Sequence, residues 1–190
     1  MKKALILIDY INDICHTNGK IAGCAAMFNE KQIVYKVNQL LDYVRQKNWL
    51  IVWITVGFSK NYAEASSKSQ IFAKAKAVNA LQQQSWGCQL IANLNYQENE
   101  TIICKNAVNP FYATNLDHIL RVNQIEELYL AGVSTEVAIQ SCTRDAHDRG
   151  YLVNIIADCC ASGNLHYHEA SLAMLQNMAK IVESEHLIKD

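Results

Sequence analysis

Three stretches of the chain hold residue types that do chemistry together. Asp9, in LIDYINDI, is a carboxylate at the end of an apolar run, and Lys105, in IICKNAVNPF, is a cation at the end of another. The third stretch, LYLAGVSTEVAIQSCTRDAHDRG at 128–150, passes from apolar residues through Gly132 into an amphipathic helix pattern. A carboxylate serves as general acid or base, and a neighbouring ammonium favours its charged form and orients it. Helix N-terminal N–H groups hold an anion or a developing oxyanion. A strand-to-helix turn of this kind often displays a nucleophile in α/β proteins, yet here its exposed position holds neither serine nor cysteine.

Taken singly, each residue has a plainer role: a strand-end aspartate can cap a loop, a lysine can be solvated, and a glycine can make a tight turn. Chemistry requires that the fold bring them together. Apolar runs at Ala4–Ile8, Leu50–Val56, Thr101–Cys104, Leu128–Ala131 and Leu152–Ile156 read as buried strands, with Ile181-Val182 as a short last one. Helical spacing marks Ile33–Val44, Leu116–Val122, Val137–Arg149 and Glu169–Ala179. Continuous apolar strands alternating with amphipathic helices predict an α/β fold with a mainly parallel sheet of about six strands, covered on both faces. Ligands in such sheets bind outside the carboxyl ends of the strands, which is where all three stretches fall.

Residues 1–190 read as a single domain, since no linker divides the chain and Pro110 is its one proline. Segment 57–88 is polar and alanine-rich; so long a connection suggests an active-site lid, an oligomer contact, or a peripheral helix between loops. MKKALILIDY reads as a first strand, because its apolar stretch is shorter than a secretory signal's, roughly 7–15 residues. The net charge of −1 gives no basic field for nucleic acid or an acidic membrane surface. No apolar run approaches the ~20 residues of a membrane span. Seven cysteines without a C-x-x-C pair read as reduced cytoplasmic thiols packed as small hydrophobes, with neither a disulfide framework nor a zinc site.

Asp9-Tyr10-Ile11-Asn12-Asp13-Ile14, Lys105 before Pro110-Phe111, and G-V-S-T followed by T-R-D-A-H-D-R-G-Y and Ala157-Asp158 resemble the isochorismatase-like hydrolase superfamily. The resemblance covers roughly residues 4–160. It implies a Rossmann-like three-layer α/β/α fold, an Asp-Lys-Cys triad, a small-molecule substrate and a homodimer or homotetramer. Asp9 and Lys105 carry over directly, but the family's cysteine position is Ala138. Without a thiol there, the thioester route to C–N cleavage is closed, and loss of a triad nucleophile costs about a million-fold in kcat. Cys142 lies one turn further on and reads as packing; Cys159 and Cys160 follow a strand end and could approach from the rim.

Three readings fit Ala138. Either the chain lacks the thiol, as the true isochorismatases do, with Asp9 as general acid in vinyl-ether hydrolysis and Lys105 orienting the site or binding a substrate carboxylate. Or it is a C–N (amide or ureide) cysteine hydrolase with cysteine replaced by alanine, or a ligand-binding relative without turnover. Backbone N–H groups across Val133, Ser134, Thr135, Val137 and Ala138 would line an oxyanion or carboxylate pocket, and the resemblance implies a cis peptide at Val133-Ser134. Phe58, Trp86 and Phe111 would supply apolar walls. Metal-binding family members carry an Asp-x-His motif and a further histidine after the second strand. This chain has no histidine between His16 and His118, so no metal or organic cofactor is expected. His16 could line the pocket from its loop, whereas His118 and His147 lie on helices.

Overall fold

The computed structural model describes residues 1–189. In chain order the elements are β1 (Lys2–Ile8), α1 (Asn12–Cys15), α2 (Ala25–Glu30), α3 (Ile33–Gln46), β2 (Leu50–Val56), α4 (Gln70–Ala77), β3 (Thr101–Lys105), α5 (Leu116–Val122) and β4 (Ile125–Val133). A π-helical turn at Thr135–Ile139 leads into α6 (Gln140–Asp148). Then come β5 (Leu152–Ala161), α7 (Leu165–Leu175), β6 (Lys180–Val182) and α8 (Ser184–Lys189). The six strands form one sheet in the order β3-β2-β1-β4-β5-β6, with every pairing parallel.

Alternation along β1 shows why the strands read as unbroken apolar runs. Ala4, Ile6 and Ile8 pack on one face with Leu116, Leu120, Cys142 and Ala146 of α5 and α6. Leu5 and Leu7 pack on the other with Ile33, Val37, Leu40, Leu41 and Val44 of α3. Both faces are therefore core, and the result is the expected three-layer α/β/α architecture. No helix among the described residues is long and apolar enough to cross a membrane.

The sheet grows outward in both directions from the β1/β4 pair, so the chain reverses its winding between those strands. That switch point opens a crevice at their carboxyl ends. Gly132 shapes it. The β4–β5 register shifts between Leu130 and Gly132, and Gly132 adopts φ +150° with Ile8 of β1 opposite. A Cβ there would lie 2.3 Å from the Ile8 carbonyl oxygen. Gly132→Ala is expected to lose about 2–3 kcal/mol in urea denaturation, from backbone strain plus overpacking; an unchanged midpoint would contradict this account of the bulge.

Two helices depart from expectation. The segment from Val137 to Arg149 begins as a π turn and becomes α-helical only at Gln140, because the amides of Val137, Ala138 and Ile139 all donate to the Ser134 carbonyl. The helix expected at Glu169–Ala179 lies earlier, at Leu165–Leu175, where the Asn164 side chain accepts from the Tyr167 N–H and sets its start. Segment 57–88 holds α4 and is tied back to the β1 end by Asp13. One Asp13 oxygen accepts from the Leu81 N–H at 2.7 Å and the other from the Lys20 N–H at 3.2 Å.

Candidate active site

Asp9 follows β1 directly. Its N–H donates to the Ile54 carbonyl, and it turns the chain with φ +58°, a left-handed conformation that aspartate tolerates better than most residues. Lys105 ends β3, two strands away in the sheet. Its Nζ reaches Asp9 Oδ2 at 2.7 Å, and both side chains are buried. Burial pushes the Asp9 carboxyl up from the usual carboxylate range, against the downward pull of the Lys105 ammonium. Asp9 Oδ1 has no hydrogen-bond partner.

Both residues border a cavity of about 290 Å3. Val133, Ser134, Glu136, Val137 and Ala138 form its β4-side wall, while Ile71, Phe72, Lys74, Ala75 and Leu81 from segment 57–88 form the opposite side. Val56, Cys24, Ile14 and Val108 are among the other lining residues. The fold thus gathers Asp9, Lys105, Val133, Ser134, Val137 and Ala138 around one cavity. The Val133-Ser134 peptide is cis.

Several expected site residues lie elsewhere. Phe58 is fully buried against Tyr62 and Phe72, so Phe72, one layer nearer the cavity, supplies the aromatic wall instead. Trp86 is 46% exposed and meets His16 edge-on, which keeps both rings outside the cavity lining. Phe111 stacks on Tyr151 under the Arg149 guanidinium and belongs to the core. The oxyanion reading also narrows. The Val137 and Ala138 amides are spent on the Ser134 carbonyl, leaving the amides that precede them in the turn.

Thr135, also expected at the site, lies outside the cavity lining. It is fully buried, and its hydroxyl donates to the Ala161 carbonyl at 3.1 Å. Its oxygen accepts from His168 Nδ1 at 2.8 Å, while the Lys31 ammonium donates to Nε2 at 2.7 Å, which fixes the ring tautomer. Lys31, His168 and Thr135 thus tie the π turn to the end of β5. Burial and the Lys31 charge push His168 down to about 4 from 6.5. An imidazole depressed in the fold binds its proton more weakly than in the unfolded chain. Its contribution to stability is therefore fully present above about pH 6.5 and is lost as pH falls toward 4, by up to about 3 kcal/mol. His168→Gln is expected to flatten the acid side of a stability–pH curve measured with urea; an unchanged slope would contradict this assignment.

None of the candidate substitute thiols is suited to attack. Cys159 and Cys160 do not approach from a rim, because β5 runs on to Ala161 and buries both within the sheet. Burial pushes Cys159 well up and Cys160 to about 12, and raises the core thiol of Cys142 as well. Cys24, which no motif in the sequence marks, lines the cavity; burial and then the Glu136 and Asp9 carboxylates push it to about 12, so it rests as a thiol. Glu136 was also passed over, although its place in the first turn after G-V-S-T was visible. Among the described residues no group of three or more His, Cys, Asp or Glu is arranged to hold a metal ion.

The isochorismatase domain family matches residues 3–186 of this chain. The chain belongs to the isochorismatase family. It is 26% identical over 192 aligned positions to the ureidoacrylate amidohydrolase RutB of Klebsiella pneumoniae (strain 342), covering 94% of this chain and 78% of that protein. Nicotinamidase/pyrazinamidase PncA from Bacillus subtilis superposes with a TM-score of 0.78 at 25% identity, over 96% of this chain and 100% of the other. An isochorismatase-like hydrolase from Alkaliphilus metalliredigens superposes with a TM-score of 0.82 at 24% identity, over 99% and 95%. Members of this isochorismatase family are hydrolases, and the first relative named above is an amidohydrolase.

Proposed function

We propose that the cavity is the substrate site of a C–N hydrolase for a small amide or ureide, with Ala138 standing where the attacking thiol would be. Asp9 is the acid/base, Lys105 its electrostatic partner, and the early amides of the Ser134–Ala138 turn face the developing oxyanion. The observation that carries this reading is the split Asp9 carboxylate. Lys105 holds Oδ2, while Oδ1 is buried without a partner, and Asp9 borders the same cavity as Ala138. An oriented carboxylate with one free oxygen is what shuttling a proton between a nucleophile and a leaving nitrogen requires. The amidohydrolase names of the relatives support the same chemistry. With alanine at 138 the chain binds such a compound but lacks the covalent route, and ammonia release by Ala138→Cys tests this.

A second reading, vinyl-ether hydrolysis with Asp9 as general acid, draws on one observation: burial raises the Asp9 carboxyl, which favours its holding a proton. Pyruvate release from isochorismate, lost in Asp9→Asn, would establish it. The seven free thiols, five of them buried, support placing the chain in the reducing cytoplasm. Assembly as a homodimer or homotetramer is proposed on the family resemblance alone.

A further inference from the structure

Three buried side-chain polar atoms lack a hydrogen-bond partner among the described residues: Asp9 Oδ1, Glu136 Oε2 and Thr143 Oγ1. Buried polar groups are almost always satisfied, so each exception asks what it is meant to meet. Two of the three belong to carboxylates that border the same cavity. Their charges are balanced differently. Lys105 answers Asp9, whereas the unbonded Glu136 oxygen meets no cation. Lys74, the other cation on the lining, is exposed. The remaining walls include Ile14, Ile71, Phe72 and Val108, which offer nothing to a polar ligand but room for a hydrocarbon tail.

We infer that Glu136 selects the ligand, accepting N–H donors from a ureido group whose other donors meet Asp9 Oδ1, and disfavouring carboxylates. The inference rests on the C–N hydrolase reading of the cavity and specifies which nitrogen compound it takes. Carboxylate oxygens accept only, so a ligand satisfies two of them by bringing donors on neighbouring nitrogens, as a ureide does. A second carboxylate entering beside Glu136 would be repelled and would leave both oxygens unpaired. A site built around a substrate's N–H groups rejects analogues lacking them far more strongly than an apolar wall can.

Isothermal titration of the whole, unaltered chain with n-butylurea and with pentanoate tests this, because the two probes share tail length and differ in the polar head. Butylurea is expected to bind at least about tenfold more tightly than pentanoate, the scale of a hydrogen bond to a charged group. Glu136→Gln, checked for folding by its thermal melt, is expected to weaken butylurea by about tenfold and to narrow the gap between the probes. Equal or reversed affinities in the unaltered chain, no saturable butylurea binding, or a gap unchanged by Glu136→Gln would each overturn the inference. The hydrolase reading fails separately. If the probe order holds while Ala138→Cys is silent on amides and ureides, selection by Glu136 stands and hydrolysis falls. If Ala138→Cys turns over but the order is absent, only the role of Glu136 falls.

Discussion

Ala138→Cys is expected to release ammonia from small amides or ureides at least about a thousand-fold faster than the unaltered chain, a part of the roughly million-fold effect that a triad nucleophile carries. Under the proposed function the variant reacts in the following steps. The thiol proton passes to the free oxygen of Asp9, and sulfur attacks the carbonyl carbon. The C–N bond then breaks as Asp9 returns the proton to the leaving nitrogen. Water hydrolyses the resulting thioester and regenerates the thiol. Ala138 sits in the cavity wall with only 3% of its surface exposed, so the added sulfur faces the substrate space and the core beside it. Asp9→Asn in the same background should abolish the gain. Turnover by Ala138→Cys that survives loss of the Asp9 carboxylate would contradict the assigned role.

The second large effect concerns stability. Lys105→Met removes the partner of a buried carboxylate and is expected to lower unfolding free energy by about 3–5 kcal/mol, read from urea midpoints. Most of that loss comes from the Asp9 charge left unpaired in the interior. Asp9→Asn with Lys105→Met should therefore recover much of it, since exchanging both charges for neutral groups is often close to neutral. Strictly additive losses in the double variant would show that the two groups are not coupled, and with that the account of a mutually oriented pair would fail.

Why some of this was readable and some was not comes down to which forces act locally. Leu50–Val56 and Leu116–Val122 match their elements end to end, because burial on both sheet faces, or along one helix stripe, is written directly in the order of apolar residues. Asp9 and Lys105 were visible as strand-end residues, but their 2.7 Å contact depends on the order β3-β2-β1, which no periodicity encodes. The aromatic walls were misplaced for a related reason. Residue type tells that Phe58 and Phe111 are buried, but not whether the cavity or the core lies on their side. The π turn escaped because it depends on three amides converging on the Ser134 carbonyl. Cys24 was hidden because its approach depends on a loop anchored by Asp13, far from the residues it meets.

A crystal structure of the unaltered chain with n-butylurea shows whether the cavity seats a ureide against Ala138. The ureido group is expected inside the cavity, with a nitrogen on the free oxygen of Asp9. Its carbonyl carbon should stand within about 4 Å of the Ala138 Cβ, the distance from which a thiol at that position would attack. A ligand bound outside the cavity, or with its carbonyl turned away from Ala138 toward the mouth, would contradict the hydrolase reading of the cavity.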